Sequence, residues 1–331
     1  MKKGCMAADF TDEGCSVLDK ILSLIRAYQH IVIHRHTNPD GDALGSQIGL
    51  KHIIQDNFPG KCVYVTGDEA GRYAFMEGSV MDDVPDDIFP QALCIILDCS
   101  APHLISDDRY QNAAALCRMD HHLFCGQLAP VEVVDSACES CCGLITALCM
   151  EHGLRFNHAA ATALYTGMVT DSGRFRYDST SAHTMRCAAQ LLEHQVDTNE
   201  LFRNLYASDF DQLLLKAQYT LKIRFTPQRV AYIYTTREEL ANSGSDEFGI
   251  SRGMVNVMSD IRGVDIWANF TETDRGVLCE LRSSRFNINP IAVKYGGGGH
   301  AKASGATLPD HETAMALLRD LDALMTEGEP S

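Results

Sequence analysis

Ile31-Val32-Ile33-His34-Arg35-His36-Thr37-Asn38-Pro39-Asp40-Gly41-Asp42-Ala43-Leu44-Gly45-Ser46 opens on an apolar triplet and runs into a segment with helical spacing. The triplet reads as a buried strand, so the polar middle is a strand-loop-helix junction, where α/β proteins place their chemistry. The junction carries His36, Asp40 and Asp42 in the order H-x-x-x-D-x-D. Two carboxylates so close on a tight loop repel unless a cation lies between them. Turn chemistry offers a simpler account, with Asp40 a turn residue after Pro39 and Asp42 the N-cap of the next helix. The rest of the chain decides between the two.

Working outward, apolar runs at 31–34, 62–66, 92–98 and 131–134 predict strands, and helical spacing appears at 17–28, 43–55 and 113–116. That alternation implies an α/β fold, a mostly parallel sheet flanked by helices. From 141 to 221 the pattern is almost wholly helical, with helices expected at 143–151, 159–169, 182–194, 198–206 and 210–221. Strands return at 230–235, 265–271 and 277–282, and with helices at 248–261, 291–295 and 312–325 they predict a smaller C-terminal α+β domain. The expected division is 14–195, a helical linker at 196–221, and 222–327. Residues 1–13 are polar and read as loose, without the apolar core of a secretory signal.

With 331 residues the chain is long enough for two domains that each bury a core. No apolar run approaches the roughly 20 residues of a membrane span. Thirteen cysteines, an odd number without framework spacing, suit free thiols in a reducing cytoplasm. Cys138 and Cys141 form a C-x-x-C that lacks the second pair of a zinc site. The formal net charge of -16 argues against coating long nucleic acid. That charge is uneven: residues 215–305 hold more Lys and Arg than Asp and Glu, and the acidic excess lies elsewhere.

Further acids and imidazoles fall at element ends. Asp98 ends the run Leu93-Cys94-Ile95-Ile96-Leu97, Asp120-His121-His122 follows Met119, and Asp171 precedes Ser172-Gly173-Arg174-Phe175. Each alone could be a cap or a buried polar group. Together they form the inventory of a two-metal site, nitrogen and oxygen ligands with a carboxylate to bridge. Imidazoles among carboxylates shift preference from Mg²⁺ toward Mn²⁺, with Zn²⁺, Fe²⁺ or Co²⁺ as competitors.

The ordered set H-x-x-P-D-G-D-A-x-G-S, an isolated Asp, D-H-H and T-D-S-G-x-F resembles the DHH phosphoesterase superfamily. Leu281-Arg282-Ser283-Ser284 and Gly296-Gly297-Gly298-Gly299-His300 resemble its associated C-terminal domain. The likeness runs from about Tyr28 to Ala306. It implies His36 and Asp40 on one divalent ion, Asp42, His121 and Asp171 on the other, and Asp98 bridging. Asp120 would orient a histidine, and His122 would face the scissile phosphate as hydrogen-bond or proton donor. Arg282, Ser283, Gly297, Gly298, Gly299 and His300 would hold substrate. The implied cofactors are two divalent ions, Mn²⁺ first, with Mg²⁺ or Co²⁺ as alternatives.

The implied reactions are hydrolysis of very short oligoribonucleotides to mononucleotides and removal of the 3′-phosphate from 3′,5′-bisphosphonucleotides. A cyclic or linear dinucleotide phosphodiesterase is the nearest alternative, ahead of an exopolyphosphatase or pyrophosphatase and of a non-catalytic nucleotide sensor. No membrane partner is expected, and a homodimer is left open. Family members often carry Ser-Thr where this chain has Ser140-Cys141, and Ser140 keeps the N-cap hydroxyl.

Overall fold

The computed structural model describes residues 17–327, so the polar segment 1–13 lies outside the described residues. The chain divides into two compact units, one ending at Ala207 and the other beginning at Ser208. Among the described residues no helix is long and apolar enough to cross a membrane.

The first unit contains α1 (Val17–Ala27), β1 (His30–His34), α2 (Gly41–Asn57), β2 (Cys62–Val65), β3 (Ala92–Leu97), β4 (Ala115–Asp120) and β5 (Val131–Val134). Helices α3 (Cys141–Glu151), α4 (His158–Asp171), α5 (Ala182–Leu192) and α6 (Thr198–Tyr206) follow. The five strands form one parallel sheet in the order β2-β1-β3-β4-β5. Every residue of β3 is buried, which is why it reads as an unbroken apolar run. In this arrangement successive strands are added in one direction from β1 to β2 and in the other from β3 to β5, so the strand order reverses between β1 and β3. Ligands of open parallel sheets bind at such a switch point, beyond the carboxyl ends of the strands.

The helix expected at 113–116 is instead the entry to β4. A 3₁₀ turn at Asp108–Asn112 precedes it, and Ala114 N–H donates to the Ala92 carbonyl at 3.1 Å, drawing the chain into register with β3. Sheet pairing overrides the helix propensity of alanine.

The loop after β1 is held from below by the segment that follows β3. Thr37 N–H donates to the Leu104 carbonyl at 2.7 Å, and His36 bridges to Ile105. Asp107 clamps that segment, accepting from Thr66 Oγ1 at 2.6 Å and from Arg109 Nη2 at 2.7 Å. Burial opposes its charge, but Arg109 and Thr66 hold the carboxyl down at about 2. A carboxyl depressed in the folded state gives stability that is present above its unfolded value and lost as pH falls through the folded one. Asp107→Asn should therefore cost on the order of 1–2 kcal/mol at neutral pH. In acid unfolding monitored by circular dichroism, the wild-type advantage should vanish between about pH 4 and pH 2. An advantage that persists below that window would contradict the clamp.

The second unit contains α7 (Phe210–Leu221), β6 (Arg224–Phe225), β7 (Ala231–Thr235), α8 (Arg237–Ala241), α9 (Glu247–Ser251), β8 (Ile266–Thr273) and β9 (Gly276–Ser283). It ends with α10 (Asn289–Lys294), β10 (Gly298–His300), β11 (Ala303–Leu308) and α11 (His311–Glu327). Its mixed sheet runs β10-β11-β9-β8-β7-β6, with only the β7–β8 pair parallel. Leu281, Phe270, Leu317 and Leu321 pack one core, and Ile233, Ile250, Met254 and Trp267 another.

The helix expected at 248–261 is α9 and a separate 3₁₀ turn at Val255–Met258, interrupted at the poor helix former Gly253. The hairpin β10–β11 is not visible in the sequence, because Ala303-Ser304-Gly305-Ala306 lacks β-branched and aromatic residues. Of the two helices in the expected linker, α6 buries Leu201 and Leu205 in the first unit, and α7 buries Leu215 and Tyr219 in the second.

Candidate active site

The loop after β1 takes its shape from local capping. Asp40 is the N-cap of α2, its Oδ1 accepting from the Asp42 and Ala43 N–H groups at 2.9 Å each. The simpler local reading, with Asp42 as the cap, is thus corrected. Asp42 lies inside the first turn of α2 and is fully buried. Its carboxylate spans to a second helix: Oδ2 accepts from Cys141 N–H at 2.7 Å and Oδ1 from Cys142 N–H at 2.9 Å. The first N–H groups of α3 and the positive end of its dipole thereby hold an anion supplied by α2. Ser140 caps that helix, accepting from Gly143 N–H at 2.9 Å.

The approach of α2, α3 and α4 requires Gly167. A Cβ there would stand 2.2 Å from Cys142 Sγ and 3.0 Å from the Asp42 Cα. Gly167→Ala should destabilise the first unit by about 1–3 kcal/mol. Urea unfolding measures this, and wild-type stability would contradict the packing argument.

Asp98 follows β3 with φ of +51°, a left-handed conformation that Asp and Asn tolerate better than other side-chain-bearing residues. Its N–H donates to the Met119 carbonyl at 3.1 Å. The carboxylate lies between two histidines, Oδ2 3.5 Å from His36 Nε2 and Oδ1 3.5 Å from His121 Nε2. Oδ1 is buried without a hydrogen-bond partner in the protein. A buried carboxylate oxygen in that position calls for a positive partner.

Three overlapping groups of potential ligand atoms lie here: His36, Asp40 and Asp98; Asp42, His121 and Asp171; and Asp98, His121 and His122, which shares a member with each of the other two. His121 Nε2 stands 3.3 Å from Asp171 Oδ2 and 3.7 Å from Asp42 Oδ2. Both rings are oriented by backbone carbonyls, His36 Nδ1 on Thr37 O at 2.7 Å and His121 Nδ1 on Cys138 O at 3.3 Å. A carbonyl only accepts, so Nδ1 carries the hydrogen in each ring and Nε2 is left to face the carboxylates. His34 stands apart, buried beside the rings of Phe89 and Tyr110.

Burial raises Asp42 well above the ordinary carboxylate range, with Asp98 and Asp171 adding to the shift. Burial likewise pushes Asp171 up to about 7 against the pull of His121. Asp98 goes the other way, since His121 and His36 outweigh the effect of burial and hold it below the usual range. For the two imidazoles burial disfavours charge. Asp40 and Asp98 nonetheless raise His36 to about 11, and Asp98 and Asp42 raise His121 to about 10. Such mutual distortion marks a pit of negative potential that cations relieve. The donor set, carboxylate oxygens with two imidazole nitrogens, fits divalent ions of the Mg²⁺ to Mn²⁺ type.

A second motif adjoins this cluster. His122 Nδ1 donates to Asp120 Oδ1 at 2.7 Å, and its side chain is 44% exposed, open to a substrate. Asp120 is fully buried, accepts the His121 N–H at 2.9 Å and pairs with the fully buried guanidinium of Arg118. Arg118 Nη1 also lies 3.6 Å from Glu132. Asp120 and His122 are expected from the sequence, whereas Arg118 is not, its only signal being a lone cation between the apolar Cys117 and Met119.

In the second unit Arg282, Gly297, Gly298, Gly299 and His300 line a cavity of about 830 Å³ together with Phe248 and Arg252. Gly297 and Gly299 are demanded by the hairpin, since a Cβ would come within 2.1 Å of Gly305 O and 2.6 Å of Ala303 O respectively. Gly298 has open space around it. Arg282 is paired with Glu280 at 3.0 Å. Ser283 does not line the cavity: its hydroxyl donates to Asp265 O at 3.0 Å and accepts the Phe286 N–H at 2.7 Å. Asn289, which sequence reasoning missed, donates to Gly299 O at 2.7 Å and fixes the hairpin.

Comparison with known proteins places these groups in context. Residues 30–168 match the DHH family, N-terminal domain, and residues 231–327 match the DHHA1 domain. The chain is 31% identical over 313 residues to the bifunctional oligoribonuclease and PAP phosphatase NrnA of Bacillus subtilis (strain 168), covering 94% of this chain and 99% of that protein. It is 34% identical over 305 residues to a probable NrnA of the same description from Streptococcus mutans, covering 91% and 97%. A solved exopolyphosphatase-related protein from Bacteroides fragilis is similar with a TM-score of 0.83 at 26% identity, covering 96% of this chain and 100% of that one.

Proposed function

The chain belongs to the DHH family of phosphoesterases, and we propose that it hydrolyses very short oligoribonucleotides to mononucleotides and 3′-phosphoadenosine 5′-phosphate to AMP. The observation that carries this reading is the position of Asp98, with one carboxylate oxygen toward each histidine-carboxylate group. The names of the relatives, bifunctional oligoribonuclease and PAP phosphatase, support the substrate assignment.

In this reading His36 and Asp40 hold one divalent ion, Asp42, His121 and Asp171 hold the other, and Asp98 serves both. Mn²⁺ is the preferred ion, with Mg²⁺ or Co²⁺ as alternatives. When bound, a pair of such ions supplies Lewis acidity and brings the pKa of water from about 15.7 toward 7. The chain's residues do the rest. The α3 N-terminus fixes Asp42, and the Thr37 and Cys138 carbonyls fix the two imidazoles, so the ligand atoms need little reorganisation. Asp120, locked by Arg118, holds His122 with Nδ1–H inward. His122 Nε2 is then free to give a proton to the departing oxygen.

Both substrates ask for the same bond to break. In each, the leaving group is the 3′-oxygen of a nucleoside 5′-phosphate, so one arrangement of acid and ligands serves both. Arg282, Gly297, Gly298, Gly299 and His300 bind the nucleotide in the cavity of the second unit, and Ser283 supports them by holding the turn after β9. The free cysteines throughout the described residues support a reducing, cytoplasmic setting.

The test is incubation of the purified chain with Mn²⁺ and either a diadenylate or 3′-phosphoadenosine 5′-phosphate. AMP is expected from both, with pyrophosphate and long single-stranded RNA turned over poorly. Absence of AMP from both would overturn the reading.

A further inference from the structure

Immediately after Asp171 the backbone does something unusual. Gly173, Arg174 and Phe175 are all left-handed, with φ of +58°, +64° and +61°. Two consecutive residues with side chains in that region persist only where the surroundings impose it, and such places cluster at ligand clamps. Here the surroundings are specific: Ser172 Oγ accepts the Phe175 N–H at 2.9 Å, and the Ser172 carbonyl accepts from Arg176 and Tyr177 at 3.0 and 3.1 Å.

The turn presents Arg174. Its guanidinium lies 4.0 Å from the ring centroid of Tyr206, at the end of α6. Arg72 lies 5.0 Å from the Tyr73 ring, with Nη2 donating at 3.1 Å to the carbonyl of Leu205, the neighbour of Tyr206 in the chain. Both arginines act electrostatically on Tyr206, and Tyr73 is hydrogen-bonded to the backbone of Gly41 and feels Asp40. This basic, aromatic patch therefore borders the acidic cluster through Gly41 on one side and Asp171 on the other. Neither arginine forms an ion pair with a carboxylate among the described residues, although the chain is strongly acidic. Each guanidinium lies near an aromatic ring and keeps N–H groups for a further partner, which suits a phosphate.

We propose that Arg72 and Arg174, braced by Tyr73 and Tyr206, bind the 5′-phosphate of the nucleotide that leaves. This rests on the reaction proposed above. The scissile phosphate belongs to the acidic cluster and its cations, so a neighbouring anion site needs a second phosphate. In a 5′-phosphorylated dinucleotide and in 3′-phosphoadenosine 5′-phosphate, that second phosphate stands in the same relation to the scissile one, across a single nucleoside. One arginine pair would then serve both activities and place the cut after the 5′-terminal nucleotide.

Steady-state kinetics with Mn²⁺ on three substrates tests this: a 5′-phosphorylated diadenylate, its 5′-hydroxyl counterpart, and bis(p-nitrophenyl) phosphate. Wild type should show the lower KM for the phosphorylated dinucleotide. Arg174→Ala and Arg72→Ala should each raise that KM by about ten-fold or more, the worth of a charged hydrogen bond. Neither should change kcat, nor turnover of the other two substrates, by more than about two-fold. Arg174→Lys, which keeps charge but loses the fork, should recover part of the loss. Equal KM for the two dinucleotides in wild type, or equal losses on both in the variants, would overturn the assignment. Failure of wild type on all three substrates would instead sink the catalytic reading beneath it.

Discussion

Asp98→Asn should lower turnover of a diadenylate by about 10³-fold or more, because several kcal/mol of charge stabilisation pass through one carboxylate. The substitution is chosen for the backbone. Position 98 has φ of +51°, which Asn accepts, so the fold has no reason to change. Without metal two effects oppose each other: the variant loses the attraction of His121 and His36 that holds Asp98 below its usual range, and it relieves the repulsion that raises Asp42 and Asp171. The difference should appear on adding Mn²⁺. Wild type gains thermal stability through binding, and the variant gains much less. Thermal unfolding with and without Mn²⁺, beside turnover, separates lost ion binding from lost folding. A variant that binds Mn²⁺ and turns over like wild type would remove Asp98 from the centre of the account.

The second large effect divides His122 from Asp120. Asp120→Ala leaves the fully buried Arg118 facing Glu132 at 3.6 Å and the Gly126 carbonyl at 3.2 Å. Breaking a buried pair from one side costs about 3–5 kcal/mol. His122→Ala removes a half-exposed side chain and should change stability by no more than about 0.5 kcal/mol. Both should lose about 10²- to 10⁴-fold in turnover, His122→Ala through the missing proton donor and Asp120→Ala through its misplacement. Urea unfolding beside AMP release makes the comparison. Similar destabilisation by the two substitutions, or normal turnover in His122→Ala, would contradict the arrangement of donor, positioning carboxylate and buried guanidinium.

Much of this was legible in the sequence because it is local. The run before Asp98 is apolar at every position since β3 is covered on both faces, and the P-D-G-D stretch reads as a junction because it joins two opposite periodicities. His36, Asp40, Asp42, Asp98, His121 and Asp171 lie close together in the fold, with His122 grouped beside Asp98 and His121. What stayed hidden depends on contacts distant in the chain. The α3 N-terminus that holds Asp42 lies 99 residues away from it, so nothing in the stretch itself says that Asp42 is buried and Asp40 is the cap. Arg118 was passed over because a single cation in a strand usually marks an edge, and β4 is an interior strand of its sheet. The β10–β11 hairpin was invisible because small residues allow its strands to approach, and small residues carry no strand signal. Ser283 and its neighbours matched a motif whose members divide between lining a cavity and shaping a turn.

The central claim is that one carboxylate joins two ion sites. Electron paramagnetic resonance during Mn²⁺ titration of the purified chain tests it most directly. Two Mn²⁺ per chain are expected, with the exchange-coupled spectrum of a bridged pair, and that coupling should be lost in Asp98→Asn. A single bound ion at saturation, or two ions with uncoupled spectra in wild type, would contradict it.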